Sequence, residues 1–146
     1  MTRIIVDSNI VFSSIINVES NISQIILTGQ KDFEFYAPHY LKTELLDHKE
    51  KIKQLKGFND QNFLEFYTKI LKHITLIDHS IIPISDYKEA IELCESIDIN
   101  DTPFVALSIF LNGTIWTGDK KLKTGLSRKG FSEFITTQEL LISLYK

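Results

Sequence analysis

Near the start of the chain Ile4, Ile5 and Val6 follow one another without a polar residue, and the run stops on Asp7. Three consecutive β-branched residues without alternation read as a strand buried on both faces of a parallel sheet. Such a strand needs helices above and below it, which restricts the chain to an α/β architecture. Ligands of open α/β sheets bind beyond the carboxyl ends of the strands, where Asp7 stands. The competing role for Asp7 is a plain cap on the following helix, since Asp is a favoured N-cap.

The rest of the chain alternates strands and helices. Residues 11–27 read as a helix, and the polar segment 17–21 marks where it would break; Gly29 ends it. A short strand over 33–37 leads to Pro38, which opens a second helix bearing the stripe Leu41, Leu45, His48, Ile52 and Leu55. Glu44 lies roughly 60° from Leu41 and so rides the edge of that stripe, the one acid of this helix able to turn inward. Pairing with a neighbouring lysine is its alternative role. Residues 59–71 read as a third helix, with Phe63, Phe66 and Tyr67 on its apolar side as core or as a partner surface. A strand over 74–77 and a loop through Pro83 follow. Asp86 opens a fourth helix holding Cys94, an inert core thiol.

Asp98, Asn100 and Asp101 precede Thr102 and Pro103, a helix start with proline in its first turn. The helix to Leu111 is apolar on nearly every side and must be buried. Asp101 has a capping role as its alternative, and Asp98 that of a plain loop acid. Residues 113–119 then repeat the opening pattern, a short buried strand ending near Asp119, with Gly118 expected to bend the backbone. Lys120, Lys121, Lys123, Arg128 and Lys129 form a basic run beyond it. It reads either as a solvated helix face or as a steering patch for phosphates. A last strand near 134–137 and a helix over 138–145 complete the pattern.

With 146 residues the chain reads as one domain. The net charge of −3 argues against a protein that holds nucleic acid by bulk attraction alone. One cysteine allows neither an internal disulfide nor a thiolate metal centre. The sequence shows no membrane span and no basic leader ahead of an apolar run, so a cytoplasmic location is expected.

Strands alternating with helices imply parallel strands, right-handed crossovers and a three-layer α/β/α sandwich. In that fold Asp7 and Asp119 share one sheet edge, Asp101 starts a helix there, and Glu44 faces inward from a crossover helix. Four converging carboxylates must be protonated in part or neutralised by a cation. Oxygen ligands without paired histidines select Mg²⁺ or Mn²⁺ before zinc.

These residues resemble the four acidic motifs of PIN domains: Ile-Val-Asp-Ser-Asn at 5–9, Leu-Lys-Thr-Glu-Leu-Leu around Glu44, Asp-Thr-Pro-Phe-Val-Ala-Leu at 101–107 and Trp-Thr-Gly-Asp at 116–119. The likeness is to VapC-like toxins and PilT N-terminus-like nucleases, and it spans essentially the whole chain. It implies a Rossmann-like five-stranded parallel sheet and a metal-dependent ribonuclease. By the resemblance, Asp7, Glu44, Asp101 and Asp119 would hold one or two Mg²⁺ or Mn²⁺ ions. RNA would be cut to 5′-phosphate and 3′-hydroxyl ends. Asn9 and Thr117 match positions that orient the acids or touch the scissile phosphate, and Asp98 matches an accessory acid of some members. The resemblance also implies a homodimer and a cognate antitoxin protein.

Two other readings compete. A phosphoacceptor receiver domain would need paired acids after the first strand, where Ser8 and Asn9 stand, and would leave Glu44 without a task. A PIN-like domain that has lost catalysis and only binds RNA or a partner protein is the other.

Overall fold

The computed structural model describes residues 1–145. Its centre is β1 (Thr2–Val6), whose consecutive apolar residues point alternately into two different layers. Ile4 and Val6 join Phe33, Phe35, Ala37 and Trp116 on one face of the sheet, while Ile5 joins Ile115 on the other. The uninterrupted run at 4–6 is therefore the signature of a strand covered on both sides.

Five parallel strands lie in the order β3-β2-β1-β4-β5. The neighbours of β1 are β2 (Phe33–Pro38) and β4 (Thr114–Trp116), and the edges are β3 (Thr75–Ile77) beyond β2 and β5 (Phe134–Ile135) beyond β4. The chain builds outward from β1 to β3, then crosses back to add β4 on the opposite flank. The order reverses between β1 and β4, and the crevice beyond their carboxyl ends is where such sheets bind ligands. One layer holds α1 (Ser8–Ile16), α2 (Asn21–Thr28), α3 (Tyr40–Asp47), α4 (Lys49–Lys56), α5 (Asp60–Leu71) and α9 (Thr137–Leu144). The other holds α6 (Ile84–Cys94), α7 (Thr102–Leu111) and α8 (Lys120–Arg128). This is the expected three-layer α/β/α sandwich.

Two expected helices are each divided. The helix expected over 11–27 starts at Ser8, breaks at Asn17 and resumes behind Ser20, whose hydroxyl accepts the Ser23 N–H. The buried Ser23 hydroxyl stands 2.8 Å from the carbonyls of both Ser14 and Asn17, and its single proton is shared between these groups at the break. The second helix breaks at His48, where one N–H is shared between the Glu44 and Leu45 carbonyls at 3.2 Å. The apolar stripe is accordingly shorter than its spacing suggested: Leu41, Leu45 and Ile52 are buried, whereas His48 and Leu55 are exposed. In the third helix Phe63 is core and stacks on Tyr67, and Phe66 stacks on Phe58.

Of the two glycines flanking β4, packing requires Gly113 rather than Gly118. Gly118 has no positive φ, and a Cβ there would meet nothing within 4 Å. A Cβ on Gly113 would stand 2.8 Å from Ile5 Cδ1 and 3.1 Å from the Arg3 carbonyl, so β4 can approach β1 only without a side chain at that point. Among the described residues no single helix is long and apolar enough to cross a membrane.

Candidate active site

Asp7 continues the β1–β4 ladder by one residue, its N–H donating to the Trp116 carbonyl at 3.1 Å. Its own carbonyl accepts the N–H groups of Ile10 and Val11, starting α1. The Asp7 side chain does not cap that helix; it is 5 % exposed and accepts the Thr117 hydroxyl at 2.8 Å. Thr117 sits beside Asp7 because Val6 and Trp116 are paired in register. The same hydroxyl accepts the Asp119 N–H at 3.1 Å, so a single buried threonine links the acids beyond both strands. Asp119 spends one oxygen as the cap of α8, accepting the Leu122 N–H at 3.0 Å.

Asp101 stands at the N-cap position of α7, yet its side chain makes no capping bond. The backbone is the main reason: at φ −81° and ψ −7° Asp101 is helical rather than extended as a capping residue is, and Pro103 removes one of the two amides a cap could use. The carboxylate is left free. It follows a single 3₁₀ turn, Ile99–Asp101, pinned by Asp98 Oδ1 accepting the Asn100 N–H at 3.0 Å.

Glu44 is half-buried on α3. Its Oε2 accepts the Ser8 hydroxyl at 3.3 Å, while Oε1 is shut away from solvent without a partner. Beside it Ser8, Asn9, Phe12 and His48 line a cavity of about 40 Å³, more than the roughly 10–15 Å³ that a water needs. Asn9 therefore lines the same cavity as Glu44. Ser8 was not anticipated as a site residue; its one signal was a hydroxyl placed directly after the acid.

The electrostatics bind these residues into one cluster. Burial pushes the Glu44 carboxyl up to about 7, with Asp7, Asp98 and Asp47 adding to the shift and the Ser8 hydroxyl opposing it. Asp101 is likewise raised to about 7 by burial, and then by Asp7, Asp98, Asp119 and Glu44. Asp7 is raised by burial and by Asp119, against the Thr117 hydroxyl and the backbone amides of Ser8 and Asn9. Asp101 thus feels all the other candidate acids, Asp98 included. No cation ranks among the main influences on these three groups. The lysines Lys120 and Lys121 instead line, with Arg128 and Gly125, a separate pocket of about 420 Å³.

Oxygen donors, an orphaned carboxylate oxygen and mutual repulsion suit a hard divalent cation. Among the described residues no three His, Cys, Asp or Glu side chains are already drawn together in metal-ligand geometry.

The model of a family described as PIN domain matches residues 5–144. Two solved structures share the fold. A chain of VapBC2 from Rickettsia felis, crystallised bound to a DNA fragment from its promoter, superposes with a TM-score of 0.68 at 19 % identity, covering 92 % of this chain and 97 % of that one. PAE2754 from Pyrobaculum aerophilum superposes with a TM-score of 0.67 at 14 % identity, covering 99 % of this chain and 90 % of that one. No curated protein sequence matches the chain.

Proposed function

Because this chain belongs to the PIN domain family, whose members are generally nucleases, we propose that it is a metal-dependent ribonuclease in which Asp7, Glu44, Asp101 and Asp119 hold Mg²⁺ or Mn²⁺. The observation that carries this reading is the pairing of a buried, partnerless Glu44 oxygen with an Asp101 carboxyl that feels every other candidate acid. An aspartate cluster meant only for capping would have its oxygens on helix amides, as Asp119 does in part. The two groups raised to about 7, Glu44 and Asp101, lose their protons readily when a cation arrives.

One or two ions in the crevice would supply an activated water and stabilise the leaving 3′-oxygen of a phosphodiester. The residues do the rest. Thr117 fixes the Asp7 carboxylate and, through the Asp119 N–H, the start of α8. Ser8 orients Glu44 from the side opposite its free oxygen. Asn9 presents a neutral amide beside Glu44, suited to a phosphate oxygen. Asp98 adds negative charge to the cluster and serves as the accessory acid. RNA would leave with 5′-phosphate and 3′-hydroxyl ends.

The partner is proposed to be an antitoxin, and the working form a homodimer. Support for the antitoxin is the shared fold with a chain of a VapBC2 structure. The proposal is tested by offering the purified protein a mixed single-stranded and transfer RNA pool with Mn²⁺, Mg²⁺ or EDTA. Cleavage that needs the metal, leaves 5′-phosphates and disappears in Asp119→Ala and Asp7→Asn is the expected result. Cleavage by Asp7→Asn equal to that of the parent would overturn it.

A further inference from the structure

A second cavity, of about 710 Å³, opens on the same sheet edge as the acids. It lies past the ends of β2 and β3. Pro38 is the last residue of β2, and the His39 N–H donates to the Ile77 carbonyl at 3.1 Å, carrying the ladder one step beyond the strands. Two elements that aim the acids also wall this cavity. Tyr40, one turn before Glu44 on α3, lines it, and so does Pro103, two residues after Asp101. Tyr87 of α6 completes the apolar side, with Lys42 and His79 at the polar margin. Neighbouring strands lie about 4.8 Å apart, so the cavity stands roughly 5–10 Å from Asp7 across the sheet edge. That is about one nucleotide step along a single strand.

We infer that this cavity is a nucleobase subsite that stacks the base next to the scissile phosphate between Tyr40 and Tyr87. The inference rests on the ribonuclease reading. A strand that lays one phosphate over the acid crevice and runs along the sheet edge toward β2 and β3 puts a neighbouring nucleotide over this cavity. The walls suit a base: ring faces and proline sides for its flat surface, hydroxyl, ammonium and imidazole groups for its edge. Among the described residues neither Tyr40 nor Tyr87 stacks on another aromatic ring, whereas Phe58, Phe63, Phe66 and Tyr67 are paired. Lys42 provides the positive charge that the acids lack. Asp78, 3.5 Å from the exposed His79 imidazole, is the acid at this margin. Stacking on an aromatic side chain is tolerant of base identity, so the subsite favours unpaired RNA over a particular letter.

The test uses a fluorescein-labelled single-stranded decaribonucleotide of mixed sequence, titrated with the full chain in Ca²⁺ and read by anisotropy. Losing one base–aromatic stack corresponds to roughly 5- to 150-fold in affinity. Tyr40→Ala should weaken binding at least about 5-fold, and Tyr40→Phe should restore it. Tyr87→Leu, which stays apolar but removes the aromatic ring, should behave like Tyr40→Ala, with thermal melting verifying its fold. A 4-thiouridine-substituted decamer should crosslink to peptides containing Tyr40 or Tyr87. If Tyr40→Ala and Tyr87→Leu bind RNA as the parent does, in protein that cleaves normally, the inference is overturned and a partner peptide becomes the better occupant. A parent that neither binds nor cleaves RNA overturns the ribonuclease reading itself, and this subsite with it.

Discussion

The Thr117 hydroxyl donates a 2.8 Å hydrogen bond to Asp7 Oδ2, joining residues 110 positions apart at the point where the strand order reverses. Both side chains are almost completely buried. The bond opposes the desolvation that raises the Asp7 carboxyl, and the threonine oxygen also accepts the Asp119 N–H. Thr117→Val should leave a buried carboxylate oxygen and a backbone N–H without partners, at a cost of about 1–3 kcal/mol. Urea unfolding of Thr117→Val against Thr117→Ser checks this: the serine variant should stay near the parent. Equal stabilities for the valine variant and the parent would remove Thr117 from the account.

Stability without metal should fall as pH rises. Glu44 and Asp101 titrate at about 7 in the folded chain, against ordinary values of 4.5 and 3.8. The folded state therefore binds these protons more tightly than the unfolded state does. That contribution is complete below about pH 4 and is lost as pH climbs through about 7. Melting temperatures in EDTA should be higher at pH 5.5 than at pH 8, and saturating Mn²⁺ should flatten the dependence by binding the charged form. Asp101→Asn removes one of the crowded charges, so it should melt above the parent at pH 8 in EDTA while gaining little from Mn²⁺. A variant that melts at the parent's temperature and responds equally to Mn²⁺ would contradict the cluster.

Gly113→Ala should destabilise the sheet. A methyl group there meets the Ile5 side chain at 2.8 Å and the Arg3 carbonyl at 3.1 Å. The side chain can rotate but the carbonyl belongs to β1, so relief requires β4 to move outward at about 1–3 kcal/mol. Gly118→Ala, where a Cβ meets nothing, is the control and should unfold with the parent.

Much of the fold was legible because buried parallel strands carry unbroken apolar runs, as at Ile4 to Val6 and Ile115 to Trp116. The positions of Asp7, Asp101 and Asp119 were legible for a related reason, since each follows a strand or opens a helix at the carboxyl edge, whereas Glu44 lies inside α3 and was read from the edge of its apolar stripe. Pro103 removes one of the two amides that a cap from Asp101 could use, and the helical backbone of Asp101 accounts for the rest. What could not be read depends on partners distant in sequence. The helix break at His48 is of this kind, whereas the one at Asn17 was marked by the polar segment 17–21 and only its repair by the Ser23 hydroxyl was hidden. The need for glycine at 113 rather than 118 appears only once the Arg3 carbonyl is in place. The cavity beside the acids draws Tyr40, Tyr87 and Pro103 from three helices, with no common spacing to betray it.

Calorimetric titration of Mn²⁺ into the metal-stripped protein tests the central claim most directly. The parent should bind one or two ions, releasing protons near neutral pH as Glu44 and Asp101 ionise, and Asp7→Asn should lose that binding while its melting curve stays cooperative. Mn²⁺ binding of equal affinity in the parent and in Asp7→Asn, Glu44→Gln and Asp101→Asn would show that these carboxylates do not form the metal centre.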